Sequence, residues 1–346
     1  MGESSQLGIE QMAHLLTVRK ESHEPTVLLL GTRAGRLFRS APFYNNLQPF
    51  SNRNFQELSP ITKFQECYSL LTSDKFSETD IHSILQRSLK DIGVIDADIS
   101  LASLIKHKYF NEIISTNIDD ALEDALLQTE MKEGEDFEVI SIGHHLPQDK
   151  KNCSCRITKV FGELVSRDYT LRGRASQFEK TKARRFLQSL LKKNLLIVGM
   201  DPAWDKDILR LIPVHTSGTI WFVSEEEEQD TAENFSFLSD ILRARTATHI
   251  LTKNGNYSYF IQKLHEYLCG NISLNYPFAQ SQTIQNIQQQ VAEIVDILEQ
   301  LTSLKALLPS IKGQLQSLQN NNDTFFGEIQ KIRKKLEEIE NHQADR

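Results

Sequence analysis

Short apolar runs alternate with amphipathic stretches over most of the chain. Thr26–Leu30, Ile113–Thr116, Glu135–Ile142, Arg156–Gly162, Leu195–Val198, Gly218–Val223 and Ala247–Leu251 are rich in Val, Ile, Leu and Phe. Gly, Pro or polar residues bound most of them, which is the pattern of buried strands. Between them, residues 5–20 place Leu7, Ile9, Met12, Leu15 and Leu16 at helical spacing. From Ile61 to Lys108 the same spacing recurs in three sets: Phe64, Cys67, Tyr68, Leu71; then Ile81, Ile84, Leu85, Leu89, Ile92; then Leu101, Leu104, Ile105. Strands alternating with helices predict an α/β domain over residues 1–275, a Rossmann-like, doubly wound parallel sheet. The helical run 61–110 is expected to form a subdomain inserted between the first two strands. Residues 41–60, with Pro42, Asn45, Asn46 and several Phe and Ser, read as a loop whose aromatics fold over a site.

The most regular pattern lies at the end. Ile284, Ile287, Val291, Ile294, Leu298, Leu301, Leu304, Leu308, Ile311, Leu315, Leu318, Asn322, Phe325, Ile329, Ile332, Leu336 and Ile339 follow in steps of three and four. Residues 281–343 are therefore predicted to form an α-helical coiled coil with another chain or another copy, Asn322 setting register in the core. The alternative is a helical hairpin broken at Pro309 and at Gly313 or Asn320–Asp323. Unbroken, the helix would span about 85 Å at 1.5 Å per residue.

Composition narrows the class. The chain has 346 residues, 39% hydrophobic and 25% charged, with formal net charge −7. These are the values of an ordinary globular protein, and bulk charge does not favour nucleic acid. A local exception is the basic stretch 167–193 (Arg167, Arg172, Arg174, Lys180, Lys182, Arg184, Arg185, Lys192, Lys193). It reads either as a nucleic-acid contact or as the solvated face of a helix. No run is long and apolar enough to span a bilayer, and Met1–Gln6 has no secretory pattern, so a cytoplasmic location is expected and no membrane partner. Cys67, Cys153, Cys155 and Cys269 form no paired C-x-x-C sets, so no zinc site is expected.

Candidate chemistry gathers where strands end. Thr116, Asn117 and Asp119 follow the second strand, at the carboxyl end where open α/β sheets present ligand groups. The plainer reading is that Asn117 and Asp119 cap the next helix. Gly31-Thr32-Arg33-Ala34-Gly35 follows the first strand, where glycines would let backbone amides approach a phosphate. Gly199 and Asp205 follow Leu195–Val198.

Taken together, Leu28–Gly35, Ser115-Thr116-Asn117-Ile118-Asp119, Lys159-Val160-Phe161-Gly162 and Leu195–Met200 resemble the sirtuin-like family. The likeness is to its prokaryotic NAD-hydrolysing branch and covers residues 25–265. The resemblance implies a nucleotide ligand, NAD or an ADP-ribose-type molecule, held by Gly31, Thr32, Arg33, Thr116, Asn117, Asp119, Gly199 and Asp205. It implies catalytic roles for Asn117 and Asp119, and a subunit of a bacterial antiphage defence assembly. The chain departs from the family where K-x-H-G carries the catalytic His: Phe161 stands there and cannot take a proton. A degenerate site follows, with an active NAD hydrolase as the alternative if His144, His145 or a partner supplies the base. A coiled-coil adaptor without ligand is the remaining expectation.

Overall fold

The computed structural model describes residues 2–142, 153–171, 181–225, 245–252, 257–270 and 309–335. Contacts divide the chain into two compact units, 1–279 and 280–346. The first contains a seven-stranded sheet. Its members are β1 (Thr26–Leu30), β2 (Glu112–Ser115), β3 (Phe137–Ser141), β4 (Cys155–Lys159), β7 (Asn194–Val198), β8 (Ile220–Glu225) and β9 (Ala247–Thr252). The order is β3-β4-β2-β1-β7-β8-β9, and every pairing is parallel. The remaining strands, β5 (Gly162–Glu163) and β6 (Asp168–Tyr169), form a small antiparallel hairpin.

Both faces of the sheet are covered, which is why its central strands read as continuous apolar runs. Val27, Leu29, Ile114, Leu195, Ile197 and Phe222 share one core with α3 (Ala41–Leu47), α4 (Pro60–Thr72), α5 (Glu78–Leu89) and α8 (Thr181–Leu191). Leu28, Leu30, Ile113, Leu196, Val198 and Val223 share the other. That second core includes α1 (Gly2–Glu21), α6 (Asp96–Lys106), α7 (Ala121–Gln128) and α10 (Tyr257–Cys269). The α/β, Rossmann-like expectation therefore holds. Within 61–110, α4 and α5 pack on one face of the sheet and α6 on the other.

The loop expected at 41–60 is largely helical. Ser40 Oγ accepts the Phe43 amide at 3.1 Å, Pro42 sits in the first turn of α3, and Phe43 and Leu47 are buried. A capping serine, a first-turn proline and two apolar anchors outweigh the turn-rich composition. The basic residues of helix α8 face solvent, which fits either reading of that stretch. Lys182, Arg184 and Arg185 are exposed while Ala183, Leu187, Leu190 and Leu191 are buried; Arg172, Arg174 and Lys180 lie outside the described residues. Buried Arg245 donates to the carbonyls of Leu191 (2.8 Å), Lys192 (3.1 Å), Lys193 and Gly218. A cation there meets the negative end of the α8 dipole.

In the second unit, residues 309–335 form one helix, α11. It runs unbroken through Gly313 and through Asn320–Asp323, so the hairpin breaks expected at those positions do not occur. Thr324 Oγ1 donates to Asn320 O at 2.8 Å within it. Among the described residues, no helix is long and apolar enough to cross a membrane.

Candidate functional site

The chain passes from β1 leftward to β2, β3 and β4, then returns to the other side of β1 as β7. The reversal opens a switch point between the carboxyl ends of β1 and β7, the place where open sheets receive ligands. Gly31 follows β1, Thr116 follows β2, and Gly199 follows β7, so the three motifs meet there because of sheet order alone.

The loop after β1 is a short 3-10 turn, Thr32–Ala34, leading into α2 (Arg36–Arg39). Each of its amides already has an acceptor. Gly31 N donates to Val198 O (2.9 Å), Arg33 N to Gly199 O (2.9 Å), Ala34 N to Gly31 O (3.0 Å) and Gly35 N to Thr32 O (3.2 Å). Thr32 N donates to Asp205 Oδ2 (3.0 Å) and Arg36 N to Asp119 Oδ2 (2.8 Å). The expectation of amides open to a phosphate is corrected here. Two of the positions an anion would take are filled by the chain's own carboxylates.

Asn117 is half-buried, and its Nδ2 donates to Gly31 O at 3.1 Å, tying β2's end to the loop. It does not cap the following helix. Asp119 does so in part, its Oδ1 accepting the Ala121 amide at 3.2 Å while Oδ2 holds Arg36. Gly35 fits between them. A Cβ there would lie inside contact distance of Asn117 Oδ1 and 2.6 Å from Asp119 Oδ2. Thr116 Oγ1 donates to Leu30 O at 3.2 Å.

On the β7 side, Asp205 precedes α9 (Lys206–Leu209) but does not cap it. Its Oδ2 accepts from Thr32 Oγ1 (3.1 Å) and Asp201 N (2.7 Å) as well as Thr32 N. Burial pushes the Asp205 carboxyl up to about 6. Asp201 is fully buried too. Its Oδ1 takes the amides of Ala203 (2.9 Å) and Trp204 (3.1 Å), and its Oδ2 lies 3.5 Å from Arg33 Nε. Burial raises the Asp201 carboxyl while Arg33 opposes the shift. Asp201 and its Arg33 partner escaped the sequence reading, which saw only a turn after a buried strand.

Several other charged groups around the loop were missed. Arg36 pairs with Asp120, just before α7, and with Asp124 one turn into it, the four-residue spacing putting both carboxylates on one side. Lys159 Nζ is buried and donates to Asp119 O (2.7 Å) and Glu123 Oε1 (2.7 Å). Arg39 pairs with buried Asp98, which also accepts from Tyr257 Oη at 2.9 Å. Spacing within Asp120–Asp124 was readable; the long-range partners were not.

Phe161 is fully buried and belongs to the core that includes Val160, Leu164 and Leu171. Gly162 next to it has φ +81° and no room for a side chain against Asp168 O, which fixes the β5–β6 hairpin. His144 and His145 lie outside the described residues. A cavity of about 400 Å³ lies between α5 and this hairpin, lined by Glu78, His82, Gln86, Arg167, Tyr169 and Thr170 among others. Arg167 Nε donates to His82 Nε2 at 3.0 Å. Burial and the Arg167 charge hold His82 below the usual imidazole range. Among the described residues, no group of three or more His, Cys, Asp and Glu could hold a metal ion.

No model of a known protein family matches the chain, and no curated protein matches it.

Proposed function

We propose that this chain is a sirtuin-like, non-hydrolysing nucleotide-binding subunit. It takes NAD or an ADP-ribose-type nucleotide at the switch point and contributes that platform to an assembly through residues 281–343, a coiled coil. In this reading 61–110 is a helical insertion between β1 and β2 whose α4 and α5 cover one face of the sheet and α6 the other. One observation carries the proposal: Asn117 and Asp119 still close on Gly31, Gly35 and Arg36, while the family's catalytic position holds the buried ring of Phe161. A binding half is kept and a general base is lost. The antiphage role rests on the resemblance.

The groups of such a nucleotide fit unequally. Sugar hydroxyls find a polar partner in half-buried Asn117, whereas Asp205 is fully buried beside Thr116 and meets a ligand only if its loop opens. A diphosphate does not fit the loop in this conformation, since every amide from Gly31 to Arg36 is engaged. It requires Asp119 or Asp205 to release its amide. When bound, the nucleotide would supply an N-glycosidic bond that no described base attacks.

That engagement favours a second reading, an adaptor whose α/β unit takes no ligand. Calorimetric titration of the whole chain with NAD and with ADP-ribose, beside an assay for released nicotinamide, separates the readings. Heat without nicotinamide release is the expected result. Absence of heat with both ligands leaves the adaptor. Turnover would mean that His144, His145 or a partner supplies the base, and would sink the non-hydrolysing assignment.

A further inference from the structure

Helix α11 carries most of its apolar residues on one seam, with Phe326, 60% exposed, beside it at e. Ile311, Leu315, Leu318, Phe325, Ile329 and Ile332 are between 44 and 66% exposed. With Asn322 they recur in alternating steps of four and three, a seven-residue repeat that puts Leu315, Asn322 and Ile329 at a and Ile311, Leu318, Phe325 and Ile332 at d. Both glycines, Gly313 and Gly327, fall at f, farthest from the seam, so neither leaves a gap in it.

We infer that this helix pairs with a second copy of the same chain as a parallel, in-register two-stranded coiled coil. The inference rests on the assembly role proposed for residues 281–343 and is independent of nucleotide binding. Two features select the occupant and its direction. In a parallel pair, Asn322 faces Asn322 of the second copy, and each carboxamide can donate to and accept from the other. A single buried Asn at a fixes register and strand number in this way. An antiparallel pair centred on the same layer would set Asn322 against Phe325, leaving the carboxamide without a partner.

Charge points the same way. Glu328 is at g and Arg333 at e of the following heptad, so a parallel homodimer forms this pair twice, once on each side of the seam. The antiparallel alignment instead brings Lys312 beside Arg333 of the second copy, two like charges. An unrelated partner helix would have to supply its own polar group at Asn322, whereas a second copy supplies it by symmetry.

The test uses the full chain. Light scattering should give the mass of a dimer. Oxidised Asn322→Cys should give a disulfide-linked dimer above the wild-type background, because equivalent a positions approach closely enough for a bridge. Differently tagged Leu315→Cys and Ile332→Cys chains, mixed and oxidised, should each link only to their own kind. Their positions are about 25 Å apart along a parallel pair. Glu328→Arg should weaken association by about three- to tenfold, and adding Arg333→Glu should restore most of it. A monomer, a trimer, or a Leu315–Ile332 heterodimer would each overturn the inference. The same samples are titrated with ADP-ribose: a dimer without heat removes the nucleotide reading alone, and a monomer that binds removes this inference alone.

Discussion

Asp205 holds Thr32 across the switch point, one carboxylate oxygen accepting both the Thr32 amide at 3.0 Å and its hydroxyl at 3.1 Å. The turn after β7 thereby clamps the loop after β1, and it does so with an anion where a phosphate-binding loop would keep its amides open.

Asp205 should make stability depend on pH in a readable way. Burial raises its pKa from 3.8 to about 6, so the native state holds the proton more tightly than the unfolded chain. Stability from this group is highest below pH ~4, falls as pH rises towards ~6, and stays lowered above that. A shift of this size corresponds to about 3 kcal/mol between the two limits. Asp205→Asn keeps an acceptor for Thr32 and cannot ionise. Urea denaturation across this window should show a flatter pH profile for the variant; parallel profiles would refute the assignment.

The two loop glycines should respond differently to an added methyl. At Gly31 a Cβ would collide with the backbone of Gly199 and Met200, which the sheet holds in place. At Gly35 it meets the ends of the Asn117 and Asp119 side chains, which can turn away. Gly31→Ala should cost more stability than Gly35→Ala, the latter falling near 1–3 kcal/mol, the usual range for overpacking. On the nucleotide-binding proposal, Gly35→Ala should also abolish ADP-ribose binding, by displacing Asn117. Thermal melts give the first comparison and calorimetry the second. Intact binding in Gly35→Ala would exclude Asn117 from the platform.

Lys159 and Glu123 form a buried pair beneath the site. Lys159→Met leaves the Glu123 carboxylate buried without its cation and should cost about 3–5 kcal/mol. Adding Glu123→Leu should recover a large part, since a pair replaced by apolar groups no longer strands a charge. A double-mutant cycle by urea denaturation measures the coupling. Additive losses would mean the two side chains act independently.

Placing a histidine at 161, where the sirtuin-like resemblance would expect one, should not create NAD hydrolysis. The Phe161 ring lies in the apolar core with Val160 and Leu164, so Phe161→His would bury an imidazole there. A loss of about 1–3 kcal/mol is expected from burying its polar atoms, with no nicotinamide release from NAD. Turnover by this variant would show instead that residue 161 reaches the ligand.

The alternation of apolar runs and amphipathic stretches was enough to name the fold class, because a parallel sheet covered on both faces needs strands apolar throughout. The heptad stripe of α11 was equally plain, since a helix repeats its own face every few residues whatever it packs against. Local rules also gave Asp119 a capping role, and its Oδ1 does take the Ala121 amide. They misread 41–60, where Ser40 and two buried side chains made helix from turn-rich residues.

What only the tertiary structure decided is who meets whom. Strand order brought residues far apart in the chain to one switch point, and no local pattern encodes that order. The pairing of Asp205 with Thr32, Arg33 with Asp201, and Lys159 with Glu123 follows from burial. A charge removed from water must find a partner, and the partner is whichever group the sheet has placed within reach. For the same reason the glycine loop, which reads as an open anion cradle, folds as a closed one.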